Sequence, residues 1–328
     1  MTDMRGGPFF EDLQIGQTMP LRSITVTDGL AAAHQAIIGN HLELSLDAKL
    51  ARDVTHGHPL ANPALVWDLA IGASTSATRE VIANLFYRRL YFHRFAAIGD
   101  RITTSTTVVD KKTNSHKPEK PPTGLVLLRI KTVDQEGRTV LDFDRCAMLP
   151  IRRDEGTRLG SLIHQSRVHA EELPAVLTQW NLDIVAEGKA VCTPRGGRTS
   201  VVFEVGGDVV SNAPELARLT MNVARVHHDR FASGGHRLVY GGHTIGLTFS
   251  QACRAMPEIL LPLAWRDCHH IAPVREQDTV WSSHRVMRIE QGPGTTSVYQ
   301  IQSEAFARQW PSEDPRHVLT WTWTALAQ

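Results

Sequence analysis

The chain has 328 residues, 42% of them hydrophobic, with 35 basic against 34 acidic side chains. So even a balance leaves no electrostatic footprint for nucleic acid or an anionic membrane surface, and no apolar run reaches the ~20 residues of a membrane-spanning helix. The N-terminal Met1 to Pro8 lacks the apolar core of a signal peptide. Cys146, Cys192, Cys253 and Cys268 show no Cys-x-x-Cys spacing, so they read as reduced packing residues of a cytoplasmic protein, with no metal site expected.

In chain order, the first strong element is a helix. Asn62 suits its cap and Pro63 its first turn, and Val66, Leu69, Ala70 and Ala73 share one face. Strand patterns follow from Arg101 to Val109, Thr123 to Val133 and Val140 to Leu149. Between the first two lies Lys111 to Pro122, a loop by its prolines and charges. Its lysines 111, 112, 117 and 120 read as a solvated face, with attraction of phosphates as the alternative. Residues 151–200 read as a connector, with a short helix predicted over Leu159 to Val176 and a Pro194-Arg-Gly-Gly-Arg tail.

A second helix is predicted from Gly242-His243, with Ile245, Phe249, Ala252, Cys253 and Met256 at helical spacing and Pro257 as its stop. Strands from Thr279 to Ile289, Ser297 to Phe306 and Val318 to Leu326 complete the chain. The two halves repeat each other. Asp100 parallels Asp278 and Val140 parallels Val318, each at an offset of 178 residues. One helix followed by several long strands is an α+β pattern, present twice: 1–150, then the connector 151–200, then 201–328.

The chemistry-bearing residues are concentrated in the second half. Leu219-Thr-Met-Asn222-Val-Ala-Arg225-Val-His227-His228-Asp229 is followed by Tyr240-Gly241-Gly242-His243. A helix start offers unpaired N–H groups and a positive dipole end, and an imidazole nearby can move a proton. At the position matching Gly242-His243 the first half has Asn62-Pro63, and proline has no N–H to offer. Leu44 or Ser45 matches His227. One active site per chain is therefore expected. His228 reads as a local surface or capping residue, and the tryptophans 265, 281, 321 and 323 as sheet packing.

This pair of segments resembles the motif of the MaoC-like, R-specific enoyl-CoA hydratases, and Asn-x-Ala-Arg-x-His with Leu-Val-Tyr-Gly-Gly-His looks most like the mesaconyl-CoA hydratase branch. Ala83-Asn-Leu-Phe-Tyr87 and His270-Ile-Ala-Pro273 fit that branch too. The resemblance implies a double hot-dog fold: two long helices, each wrapped by its own antiparallel sheet, the first repeat being a degenerate wall of an acyl-CoA cleft. It implies a lyase that adds water to a 2-enoyl-CoA, with CoA entering as part of the substrate and no separate cofactor. His227 falls on the family's catalytic histidine. Gly241, Gly242 and His243, with Tyr240, fall on the element that holds the thioester oxygen.

The family's catalytic aspartate falls on Asn222, which cannot take a proton. Either His227 carries both transfers or Asp229, His228 or His243 assists. Arg225 stands where the family usually has proline. It either reads a second carboxylate on the substrate or is solvated. A hot-dog thioesterase and a degenerate acyl-CoA-binding protein are the alternatives, since fold alone does not decide function. A homodimer is expected from the sheet surface that two such repeats leave open.

Overall fold

The computed structural model describes residues 6–57, 59–115, 119–152, 173–186, 201–203 and 206–328. Lys117, Cys192, the Pro194–Arg198 tail and most of the helix predicted over Leu159 to Val176 lie outside these residues. Val176 itself stands in a 3-10 turn, Ala175–Gln179.

Eleven strands form one antiparallel sheet among the described residues. They are β1 (Arg22–Thr25), β2 (Ala83–Phe92), β3 (Arg101–Thr113), β4 (Thr123–Val133), β5 (Thr139–Pro150), β6 (Val201–Phe203), β7 (Asp208–Val209), β8 (Ile259–His270), β9 (Thr279–Gln291), β10 (Ser297–Arg308) and β11 (Arg316–Ala327). The order β1-β3-β4-β5-β2-β8-β11-β10-β9-β6 reads as two mirrored halves, with β7 paired to β9. The antiparallel pair β2–β8 joins them, Tyr87 opposite Cys268 and Leu90 opposite Trp265. This is the double hot dog.

Each half folds around one long helix, Pro63–Ser74 in the first and Gly241–Ala255 in the second. The two starts differ by 178 residues, the same offset the strands show. Asn62 caps the first helix, its Oδ1 accepting from the Ala64 N–H at 2.8 Å, with proline in the first turn. All twelve residues of that helix are buried, not one face alone, because the sheet wraps it on one side and the second helix covers the other. The second helix starts at Gly241, with Tyr240 as its cap. The position matching Asn62-Pro63 is therefore Tyr240-Gly241, not Gly242-His243.

The strands predicted from period-two patterning lie where expected, β4 with the predicted bounds and the others longer by two to four residues. Five strands were not predicted: the short β1, β6 and β7, and the long β2 and β8. The two long ones sit at the seam between the repeats. The first half of β8 is covered on both faces and loses the alternation, while β2 is half-buried and its period is broken by register shifts and a left-handed Arg89. The seam core is aromatic. Trp67 packs edge-on against Trp265 at 4.9 Å between centroids, and Trp321 stacks on Trp323 at 4.6 Å. Lys111 is a correction to the solvated-loop reading. It belongs to β3 and is buried, its Nζ donating to the Leu13 carbonyl with the Phe10 ring beneath it. Cys146, Cys253 and Cys268 are buried free thiols.

Among the described residues no helix is long and apolar enough to cross a membrane. No cluster of His, Cys, Asp and Glu able to hold a metal ion is present among them either.

Candidate active site

The segment before the second helix is shaped by local bonds. Met221 takes a left-handed φ of 58°, a conformation that costs a non-glycine residue energy and recurs at functional sites. Asn222 follows. Its Oδ1 accepts from the Ala224 N–H at 2.9 Å in an Asx turn. With the oxygen so held, the Nδ2 amide group is left buried and without a partner. A short 3-10 turn, Arg225–His227, then carries His227 inward.

The His227 Nδ1 lies 2.8 Å from the Leu238 carbonyl oxygen. A carbonyl can only accept, so Nδ1 carries the proton and Nε2 keeps its lone pair. Burial pushes the His227 pKa down to about 4, against the Leu238 hydrogen bond, which raises it. The ring is thus a neutral base at neutral pH.

An inner cavity of about 320 Å³ takes in Asn222, His227, Tyr240, Gly241, Thr244 and His270 from the second repeat, with Asn84, Tyr87 and Arg145 from the first. Gly241 and Gly242 open a helix that no side chain caps. The first N–H groups of a helix point out of its end without intrahelical partners, here at the wall of the cavity. The His243 N–H already donates to the Tyr240 carbonyl at 2.9 Å.

Both glycines are also demanded by packing. A Cβ on Gly241 would stand 2.8 Å from His270 Nε2, and one on Gly242 would overlap Asp68 Oδ1 and crowd the Tyr240 ring. Tyr240 is tied to the first helix, its hydroxyl donating to the Asp68 carbonyl at 2.9 Å.

The site residues read from sequence therefore separate into groups. Asn222, His227, Tyr240 and Gly241 line the inner cavity. Gly242 and His243 do not line it. The His243 side chain is buried, both ring nitrogens without partners, and its pKa is pushed down to about 3 by burial with His34 adding to the shift. It faces the buried His34–Asp68 pair, whose Nε2 and Oδ2 are 3.0 Å apart.

His228 donates from Nε2 to the Asn222 carbonyl at 2.6 Å, which braces the turn. Asp229 caps the next turn by accepting from the Phe231 N–H at 2.9 Å. Neither lines the inner cavity. Arg225 lines an outer cleft of about 400 Å³ with Arg79, Arg275 and His236. There its Nη1 lies 3.4 Å from Glu80 Oε2 and its side chain is 46% exposed. Val81, Ile82, Leu238 and Pro273 border both spaces, so the outer cleft and the inner cavity are neighbours.

Five of the cavity residues named above were not singled out as site residues from the sequence: Thr244, His270, Asn84, Tyr87 and Arg145. His270 Nε2 is buried and unpartnered, and burial lowers its pKa to about 4, with Arg145 first among the lesser causes. A signal for Arg145 existed. In Phe143, Arg145, Ala147, Leu149 the core-facing positions of a strand contain one arginine.

No known family profile matches the chain. It is 25% identical over 313 residues to a β-methylmalyl-CoA dehydratase of Chloroflexus aurantiacus, covering 92% of this chain and 88% of that one. It is 27% identical over 292 residues to a mesaconyl-CoA hydratase of Cereibacter sphaeroides, covering 84% and 82%. Among solved structures, a conserved hypothetical protein of Mycobacterium tuberculosis with a double hot-dog fold superposes with a TM-score of 0.87 at 44% identity, over 98% of both chains. A MaoC-domain dehydratase of Chloroflexus aurantiacus matches at TM-score 0.87 and 22% identity, over 100% and 99% of the two chains. With repeat order, helix starts and full-length similarity in agreement, the chain belongs to the MaoC-like double hot-dog family.

Proposed function

We propose that the protein adds water across the double bond of a 2-enoyl-CoA thioester, or removes it from the 3-hydroxy product. The observation that carries this reading is the His227–Leu238 bond, which leaves a neutral imidazole with its Nε2 lone pair in a cavity at an uncapped helix start. In the hydration direction Nε2 takes a proton from water as the water oxygen bonds to the β-carbon. The electron pair of the double bond moves to the thioester oxygen. The N–H group at Gly241 receives that charge; one such donor contributes about 3–4 kcal/mol to a barrier of this kind. The imidazolium then returns the proton to the α-carbon, so one histidine serves both transfers.

Asn222 has no acid–base chemistry. Its free Nδ2 amide donates to the oxygen of the water, or of the departing hydroxyl in the reverse direction. CoA lies along the outer cleft, where Arg79, Arg225 and Arg275 suit its phosphates, and the thioester arm passes Val81 and Leu238 into the inner cavity. The names of the two curated relatives, both acting on CoA thioesters by hydration or dehydration, support the same assignment.

The test is direct. Incubate the protein with crotonyl-CoA and with mesaconyl-CoA, following enoyl absorbance and free thiol together. Loss of absorbance without thiol is the expected result. Release of thiol marks a thioesterase, and binding without either change marks a protein that only holds acyl-CoA.

A further inference from the structure

Arg145 is the most unusual group in the cavity wall. It stands on β5 opposite Tyr87 of β2 and is 3% exposed. Its Nε donates to Asn84 Oδ1 at 2.7 Å and its Nη1 to Ser74 Oγ at 2.9 Å. Both partners are neutral. Among the described residues no carboxylate pairs with this guanidinium, whereas the adjacent Asp144, on the other face of the strand, holds both Arg89 and Arg129.

A buried cation without a counter-charge is costly, and such charges are normally paired. The missing anion has one evident place to be. The inner cavity that Arg145 lines contains no aspartate or glutamate in its wall. It does present unpartnered donors. Asn84 has committed its Oδ1 to Arg145, so its Nδ2 is left sealed from solvent with no acceptor, and Asn222 Nδ2 is in the same condition. A fixed positive charge beside the unpartnered Asn84 amide, with Asn222 Nδ2 left to the water, matches a carboxylate, which takes two or more charge-assisted hydrogen bonds.

The CoA phosphates do not meet this need, because the outer cleft has its own arginines. The thioester oxygen is met by the helix start at Gly241, on the other repeat. We infer that Arg145, oriented by Asn84 and Ser74, recognises a second carboxylate on the acyl group, so that the substrate is a dicarboxylic 2-enoyl thioester. The inference rests on the hydration reading of this same cavity. It gives the first repeat, which contributes Asn84, Tyr87 and Arg145 there, the task of acyl selection. It also moves that task from Arg225, which Glu80 engages outside the cavity.

Two measurements on the full-length protein separate the inference from the reading beneath it. The first is the affinity for succinyl-CoA against butyryl-CoA, thioesters that cannot be hydrated and that differ by a carboxylate in place of a methyl. The second is kcat/KM for mesaconyl-CoA against crotonyl-CoA. Wild type is expected to prefer the carboxylate partner in both pairs by about tenfold or more, the scale of one hydrogen bond to a charged group. Arg145→Met should abolish both preferences, and Arg145→Lys, which keeps the charge without the fork, should retain part of them.

A wild type with no preference in either pair overturns the assignment, as does a loss in Arg145→Met that is equal on both members. Should Arg145→Met fail to fold, the wild-type preferences and Arg145→Lys decide. Hydration of crotonyl-CoA without any preference leaves the hydratase reading standing and removes the carboxylate. Preferential binding of succinyl-CoA with no hydration of either enoyl thioester does the reverse.

Discussion

His227 and Leu238 are joined by a hydrogen bond of 2.8 Å from the ring Nδ1 to the backbone carbonyl, and that bond decides which nitrogen is available to the cavity. They stand eleven positions apart, and the chain between is loop and one short 3-10 turn, so the tautomer is set by a connecting segment. Replacing His227 with alanine should lower turnover by at least about a hundredfold, the low end of what a general acid–base group contributes. The variant also leaves the Leu238 carbonyl without its donor, for a stability loss of about 1–3 kcal/mol. Turnover per folded molecule is therefore the quantity to measure, with circular dichroism reporting the folded fraction. Near-normal turnover would remove His227 from the mechanism.

The pH profile follows from burial. His227 and His270 are pushed down to about 4, His243 and His284 to about 3, in each case mainly by burial. Their unfolded values lie near 6.5. The folded state thus holds these rings neutral at a pH where the unfolded chain binds protons. Their contribution to stability is present in full above about 6.5 and is lost as pH falls towards 4 and 3, each ring adding a slope of up to about 1.4 kcal/mol per pH unit. Melting temperature should fall steeply between pH 6 and 4. Over the range where the protein stays folded, kcat/KM should show no limb at 6.5. An activity profile halved near pH 6.5 would mean that the catalytic imidazole is not the buried one.

Asn222→Asp keeps the Asx turn, since a carboxylate oxygen accepts from the Ala224 N–H as the amide oxygen does. Its second oxygen would replace the idle Nδ2 donor. Crotonyl-CoA hydration should be retained or raised, because a proton-taking group enters the cavity. Mesaconyl-CoA hydration should fall, because a carboxylate would face the substrate's own. Steady-state kinetics on both substrates decides it. Collapse on both would mean that the Nδ2 hydrogen bond is essential to the chemistry.

Arg225→Met should raise KM for crotonyl-CoA and mesaconyl-CoA by the same factor, since the residue lies in the outer cleft beside Glu80. A loss confined to mesaconyl-CoA would return acyl selection to Arg225.

Gly242→Ala should destabilise the protein by about 1–3 kcal/mol, the usual cost of overpacking, because the new methyl overlaps Asp68 Oδ1 and crowds the Tyr240 ring. Thermal melts of wild type and variant at neutral pH check this. An unchanged melting temperature would show that the two central helices are not in contact at that point.

Periodicity and repetition carried a large part of the fold. The helix after Asn62 and six of the long strands follow from local patterning, because a half-buried strand or a capped helix writes its period into its own residues. The offset of 178 residues made the duplication visible in the sequence alone, and the motif around Asn222 and His227 pointed to the cavity. Neither β2 nor β8 could be read this way, since the first half of β8 is covered on both faces and loses the alternation, and register shifts interrupt the period of β2.

The composition of the site was decided by the tertiary structure. Arg145 lies 82 positions before His227 in the chain and enters the cavity because β5, β2 and β8 are neighbours in the sheet. His243 and Arg225 looked like neighbours of His227 in one space by adjacency, yet one is buried beside His34 and the other lines the outer cleft next to Glu80. Sequence spacing limits which faces a residue can present along its own element. Which groups share one enclosed space depends on strand pairing across the two repeats, and that is a property of the packed molecule.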